Sequence, residues 1–419
     1  MLNANYALVL NCGSSSLKFA IIDPQTGNEI LSGLAECLLT DEARFIYRQQ
    51  GDKHQCSLSQ VTDHQVADHQ KAIDKLVAII EKQQLGSSIK AVGHRVVHGG
   101  EAFVDSVLVD EAVKLKIEAL NPLAPLHNPA NLVGINAAQA AFPHLPQVAV
   151  FDTAFHQTMP KQAFTYALPR NFYTDHGVRK YGFHGTSHQY VAQQAANLLQ
   201  QPANKLCLVT AHLGNGCSLA SVKEGKSVDT SMGLTPLAGL VMGTRCGDID
   251  PGILHFMTDN LGLTSQQVNE LLNKKSGLLG LSQHSNDCRA LLHAEQQGDE
   301  LAKLALDVFC YQLAKSIAAH AVPLGRLDAL VFTGGIGENA APIRARVLDQ
   351  LCLLGFVLDE TANQDTVAGQ AGQITLAQST TALVIPTNEE RVIAGDALRV
   401  SQVNAHQNNV RQNSVSQIN

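Results

Sequence analysis

Ala7-Leu8-Val9-Leu10-Asn11-Cys12-Gly13-Ser14-Ser15-Ser16-Leu17-Lys18-Phe19-Ala20-Ile21-Ile22 reads as two apolar runs joined by a small polar loop. Short apolar runs bounded by turn residues predict strands. Asp23–Asn28 carries Pro24 and Gly27 and predicts a turn, followed by a third run, Glu29–Leu34. The pattern is strand, polar turn, strand, turn, strand. The middle of the chain repeats it. Leu206–Leu213 ends in Gly214-Asn215-Gly216, Ser218–Val222 follows, Lys223-Glu224-Gly225-Lys226 turns, and Ser227–Thr230 returns. The likeness is one of structure rather than of residues, and it predicts two related halves. Length agrees: the chain has 419 residues, 45% of them hydrophobic. A single core stops growing near about 250–300 residues, so two domains are expected.

Between these stretches, Ile73, Leu76, Val77 and Ile80 repeat at helical spacing, and Gly86 is the expected stop. Ala91–Val97 and Val148–Phe151 predict buried strands. Leu301, Leu304, Val308 and Ile317 predict a helix. Ala329–Phe332 predicts a strand that opens into Thr333-Gly334-Gly335-Ile336-Gly337, and Ala382–Ile385 is the last clear strand. Ser401–Asn419 is rich in Gln, Asn and Ser and is expected to fray.

The net charge is −7 and the pI near 6.2, with no run of Lys or Arg. Nucleic acid and anionic membrane are therefore not expected partners. The nine Cys include no C-x-x-C pair, which argues against a zinc site or a disulfide framework and fits a reducing cytoplasm. No run of about 18 apolar residues is present, so a soluble, unexported protein is expected.

Three glycine-containing loops follow strands, around Gly13, Gly214 and Gly335. Glycine lets backbone N–H groups approach an anion closely. None of the three is a G-x-x-x-x-G-K-[ST] loop. In the first, three hydroxyls precede Lys18, a point charge suited to phosphate, and Asn11 is placed to hold a metal-bound water; an ordinary hairpin turn is the alternative. Gly335-Ile336-Gly337 with Ala340 also resembles a dinucleotide fingerprint if Phe356–Leu358 is a second strand ending at Asp359. An NAD-dependent oxidoreductase is thus one rival reading.

Arginines lie among small residues. Arg95 falls within Gly93-His94-Arg95-Val96-Val97-His98-Gly99-Gly100, and Arg245 within Met242-Gly243-Thr244-Arg245-Cys246-Gly247-Asp248. His184 and His188 share the turn-rich segment Lys180–His188. A guanidinium donates in a planar fork that suits phosphate and carboxylate. Taken singly, each Arg also fits a surface ion pair and each His a core position. Asp152 ends the Val148–Phe151 run, where α/β folds place chemistry, although it would also serve as a cap. Glu389 and Glu390 open an apolar helix after Pro386-Thr387-Asn388; a metal carboxylate and a helix-dipole role are both open there.

At these residues the sequence resembles the acetate and propionate kinase family. Asn11–Lys18 matches the family's N-terminal signature. Asp229-Thr230-Ser231-Met232-Gly233-Leu234-Thr235-Pro236 through Gly243–Pro251 matches its second, and the His184, Gly214, Gly335 and Glu389 segments extend the likeness over nearly the whole chain. The resemblance implies an α/β fold of two related actin-like, ribonuclease H-like ATPase domains flanking an ATP cleft. Domain I is expected at 1–152 plus 387–419, and domain II, the nucleotide-binding one, at 153–386. It implies Mg²⁺, or Mn²⁺ in its place, with ATP and ADP as co-substrates, a small carboxylate acceptor and a homodimer. Acetate is the expected acceptor, with propionate and butyrate as alternatives, since one methylene is worth only about 1–3 kcal/mol in a pocket.

The resemblance also implies roles. Asn11 and Glu389 help to bind the metal, with Glu390 the neighbouring alternative, and Lys18 lies near the nucleotide phosphates. Arg95 holds the substrate, and Val97, Leu126 and Pro236 wall its acyl pocket. Asp152 is the catalytic carboxylate, while His184 and Arg245 stabilise the transition state. His212, Leu213, Gly214, Asn215 and Gly216 line the nucleotide, as do Gly335, Ile336, Gly337, Glu338 and Asn339, and Asp287, Cys288 and Arg289. A carboxylate acceptor is already ionised at pH 7 and needs no base, so Asp152 is expected to orient Mg²⁺, water or an Arg. An ATP-driven module of the Hsp70 kind would have no need of Arg95 and Arg245.

Overall fold

The structure is a computed structural model that describes residues 5–49, 51–58 and 67–416, of which 407–416 by backbone alone. The chain forms two compact units, one of residues 1–154 and 388–419, the other of 155–387.

The first unit is built on an eight-stranded sheet. Its strands are β1 (Tyr6–Gly13), β2 (Ser16–Ile22), β3 (Glu29–Glu36), β4 (Arg44–Gln49), β5 (Asp52–Ser57), β6 (Ile89–Val96), β7 (Val107–Leu108) and β8 (Gln147–Phe151), in the order β5-β4-β3-β2-β1-β6-β8-β7. β1 runs antiparallel to β2 and parallel to β6, which is parallel to β8. Alternate side chains of a strand face opposite ways. Leu8, Leu10, Leu17, Phe19 and Ile21 accordingly pack on one face with Ile73, Leu76 and Ile80 of helix His69–Lys82. Ala7, Val9, Ala20, Ile22, Ala91, Val148 and Val150 pack on the other with Ile393, Ala394, Ala397 and Leu398 of helix Glu389–Ser416. Burying each such Leu, Ile or Phe is worth roughly 1.5–3 kcal/mol.

The second unit carries β9 (Cys207–Leu213), β10 (Cys217–Lys223), β11 (Lys226–Thr230), β12 (Ala329–Thr333), β13 (Gly372–Gln373) and β14 (Thr381–Val384), ordered β11-β10-β9-β12-β14-β13. β9 and β10 are antiparallel, as are β10 and β11, while β9, β12 and β14 run parallel. The series β11-β10-β9-β12-β14 repeats β3-β2-β1-β6-β8 in order and direction. The echo in the sequence is therefore an architectural repeat. Helix Gly185–Leu198 buries Val191, Ala192, Ala195 and Ala196 against one face of this sheet.

Four local expectations are corrected. Helix His69–Lys82 ends before Gly86, because Gln84 takes the left-handed turn (φ 54°). In helix Glu300–Ala321 the buried stripe is Ala302, Ala305, Leu306, Phe309, Cys310, Leu313, Ala314 and Ile317, while Leu301 and Leu304 are exposed. Small residues carry half of that stripe and shift it by one position from the leucines. Phe356–Leu358 is no strand; only Leu358 forms an isolated bridge, to Thr375. The dinucleotide reading thereby loses its second strand. The tail is helical through Ser416, since no Gly or Pro interrupts it after Gly395; residues 417–419 lie outside the described part.

Candidate active site

Strand alternation assembles the first group of residues. Lys18 follows Ile22 and Ala20 on β2, Asn11 follows Ala7 and Val9 on β1, and Arg95 follows Ala91 and Gly93 on β6. Asp152 follows Val148 and Val150 just beyond β8. All four positions continue the face that packs under helix Glu389–Ser416. Gly93 permits that approach: a Cβ there would lie 2.7 Å from Ile393 Cγ2. The helix begins over the same strand ends. Asn388 caps it by accepting from Arg391 N at 2.8 Å, and Arg391 donates through Nη2 to Gln25 O at 2.7 Å. Asn388 thus supplies the side-chain cap, and Glu389 and Glu390 follow in the first turn, where the helix dipole favours them.

Arg95 donates through Nε to Asp152 Oδ1 at 3.0 Å and through Nη2 to Oδ2 at 2.6 Å. The Asp152 side chain is 1% exposed and that of Arg95 is 24% exposed. Burial works against the Arg95 charge, but Asp152 and Glu389 hold its pKa above the ordinary arginine value. Burial raises the Asp152 carboxyl, Arg95 opposes that, and Glu389 adds to it, leaving the carboxyl above its usual range. Glu390 is ion-paired with Lys18. Glu390 meets Lys18, the charges of both glutamates act on Arg95, and that of Glu389 acts on Asp152 as well. Val97 is 7% exposed, with its N–H held by Asn131 Oδ1 at 3.1 Å. Asn131 also donates to Cys12 O at 2.8 Å, tying the ends of β1 and β6 together. Leu126 is 65% exposed.

In the second unit Arg245 and His184 meet at Gly216. A Cβ on Gly216 would lie 2.9 Å from Arg245 Nη2 and 3.4 Å from His184 Cε1, so a side chain there would displace one of them. Arg245 Nη1 donates to the carbonyl of Pro236 at 2.6 Å. Burial lowers its pKa. Among the described residues no carboxylate pairs with it. His184 precedes helix Gly185–Leu198 with φ 57°, a conformation uncommon for a residue with a Cβ and concentrated at functional positions. Its ring stacks on that of His212, centroids 4.4 Å apart.

The three segments expected to line the nucleotide converge on one open cavity of about 570 Å³. Gly214, Asn215, Asp287, Cys288, Arg289, Gly335, Ile336 and Asn339 all border it, joined by Asn286, Leu292, Ala340 and Pro342. Leu213 and Gly337 are instead buried, and Glu338 is a clamp: its carboxylate accepts from Gly334 N at 2.8 Å and Thr387 N at 3.0 Å. Asp287 caps helix Cys288–Gln296 and is held at about 2, chiefly by hydrogen bonds from Arg289. Gly334–Asn339 is a short helix rather than a loop, which the local run of glycines conceals. Val97 and Leu126 belong to the first unit and Pro236 to the second. Asn131 and Asn286 were not legible as site residues, although Asn286 lies beside Asp287; Glu338, expected to line the nucleotide, is placed as this clamp.

Comparison with known proteins defines the chain. The profile of the acetokinase family matches residues 6–395. The chain is 54% identical over 396 residues to an acetate kinase of Shewanella baltica, covering 94% of this chain and 98% of that one. The crystal structure of a propionate kinase from Francisella tularensis superposes with a TM-score of 0.89 at 46% identity, over 94% and 100% of the two chains. That of acetate kinase from Porphyromonas gingivalis gives 0.88 at 41%, over 95% and 100%. Fold and relatives together define a phosphotransferase of actin-like architecture that takes a carboxyl group as acceptor. The chain belongs to the acetokinase family.

Proposed function

We propose that the protein transfers the γ-phosphoryl group of ATP reversibly and directly, in line, to acetate, giving acetyl phosphate and ADP. The observation that carries this reading is Arg245 at Gly216. It is a half-buried guanidinium held by a carbonyl, paired with no carboxylate among the described residues, and adjacent to the His184 ring. Such a group suits the charge of a transferring phosphoryl, where catalysis is mostly positioning and neutralisation. The cavity bordered by Gly214, Asp287 and Gly335 supports an adenine nucleotide on the same unit.

Arg95 is read as the carboxylate-binding residue, with Val97, two positions on, limiting acyl length. Asp152 fixes the Arg95 fork by its two hydrogen bonds, and that geometry supports an orienting role rather than that of a base. The donor set fits Mg²⁺, which takes one or two carboxylates and keeps waters and phosphate oxygens as its other ligands. Glu389 and Asn11 would hold it, with Asp152 beside them. When bound, it supplies positive charge to the phosphate oxygens. Glu389, whose charge acts on Asp152, is read as the metal carboxylate.

Exposed Ile253, Leu254, Phe256 and Leu261 support a face for a second copy, as a homodimer requires. Nine free cysteines support a cytoplasmic setting, and no helix among the described residues is long and apolar enough to cross a membrane. Incubation with acetyl phosphate, ADP and Mg²⁺ tests the function. ATP should form and be read by luciferase, and removal of Mg²⁺ by chelation should abolish it. Absence of ATP from acetyl, propionyl and butyryl phosphate alike would refute the reading.

A further inference from the structure

Behind His184 lies a chain of buried polar groups whose protons can run in either direction, and the contact at its far end bears on which. Thr210 Oγ1 donates to Ala220 O at 3.4 Å, which uses its single proton. His188 Nδ1 lies 2.7 Å from Thr210 Oγ1 and, with that proton turned to Ala220 O, donates to it. His188 is fully buried, and its burial, together with the nearby rings of His156, His212 and His320, keeps it neutral. A neutral imidazole carries one N–H, so His188 Nε2 is an acceptor. The atom 2.8 Å from it is Ser218 Oγ, which must give its proton to His188. Ser218 Oγ is also 2.9 Å from His184 Nδ1, and with its proton committed it accepts there.

We propose that Ser218, oriented by His188 and Thr210, is a positioning residue that fixes His184 in the Nδ1–H tautomer, leaving Nε2 to face Gly216 and Arg245. The inference rests on the reading that His184 acts on the transferring phosphoryl group. A hydrogen bond at one ring nitrogen sets the chemistry of the other. It also turns the ring: the Cε1–Nε2 edge is the one that a Cβ on Gly216 would approach, 3.4 Å from Cε1 and 3.5 Å from Nε2. Ser218 lies at the start of β10, opposite His212 on β9, so the sheet itself fixes the hydroxyl.

The test is nitrogen-15 NMR of protein labelled at histidine, with the His184 signals assigned by comparison with His184→Gln. At neutral pH the wild-type His184 should show a protonated Nδ1; a predominant Nε2–H tautomer would overturn the proposal without any variant. Ser218→Ala should mix the tautomers and lower kcat by roughly tenfold to a hundredfold, the range for partners that orient a functional imidazole, with the KM for ATP little changed. Ser218→Thr, which keeps the hydroxyl, should restore the Nδ1–H signal and most of kcat. In a His184→Ala background Ser218→Ala should cost nothing more, because its effect passes through that ring. A full additive loss would show a merely structural role. If His184→Ala itself leaves kcat intact, the reading of His184 fails; if His184→Ala abolishes activity while Ser218→Ala changes neither tautomer nor rate, this inference alone fails.

Discussion

Arg95 and Asp152, 57 positions apart in sequence, meet at the ends of adjacent parallel strands through two hydrogen bonds of 3.0 and 2.6 Å. The pair fixes the plane of the guanidinium, which determines how it can receive a second carboxylate. Asp152→Asn should therefore lower kcat/KM for acetate by roughly a hundredfold while leaving the nucleotide cavity intact. Because the acceptor is already ionised, the residual rate should not climb with pH, and the Mg²⁺ dependence should alter. A residual rate rising about tenfold per pH unit with unchanged Mg²⁺ response would restore Asp152 as a proton acceptor.

Val97 is buried two residues beyond Arg95, and its N–H is fixed by Asn131. Val97→Ala removes volume without moving that backbone bond. The ratio of kcat/KM for propionate over acetate should rise roughly tenfold, about 1.4 kcal/mol and within the range for a methylene. An unchanged ratio would remove Val97 from the acyl site.

Arg245 offers a fork held by the Pro236 carbonyl. Arg245→Ala should cost roughly 10³-fold or more in kcat, the scale for an arginine that stabilises a phosphoryl transition state, with ATP affinity little affected by equilibrium titration. Arg245→Lys should remain poor, since a point charge cannot reproduce the fork. Near-wild-type turnover in the lysine variant would place the requirement on charge alone.

Burial lowers the His94 and His156 pKa values from 6.5 to about 4. Both rings are held neutral in the folded chain, so between 6.5 and 4 the unfolded chain binds more protons. Stability from these sites is fully present above pH 6.5 and is lost as pH falls towards 4, by roughly 3 kcal/mol for each ring at most. Urea midpoints should drop across that window. His94→Gln, which keeps a polar contact for Gln147, should flatten the drop; an unchanged slope would contradict the assignment.

Much of this was legible because strands announce themselves by short apolar runs and turns. The hairpin at Asn11–Lys18 and its echo at Gly214–Ser218 mark the two sheets. Arg95 and Asp152 were each legible, but their pairing was not, because it depends on the register of β6 and β8. Leu301 and Leu304 misled because hydrophobicity favours leucine over the alanines that fit a close helix-to-sheet contact. The Ser218–His188 chain and the Glu338 clamp were invisible for a related reason: Ser, Thr and Glu gain their meaning from partners supplied by distant strands.

The central claim is phosphoryl transfer to a small carboxylate, and one assay tests it most directly. ADP release is followed by a coupled enzyme system with ATP, Mg²⁺ and, in turn, formate, acetate, propionate and butyrate, with hydroxylamine present to trap any acyl phosphate. The account predicts acceptor-dependent ADP release, greatest with acetate, matched one for one by acyl hydroxamate. ADP release that is the same with and without a carboxylate, or no hydroxamate with any of the four, would contradict it.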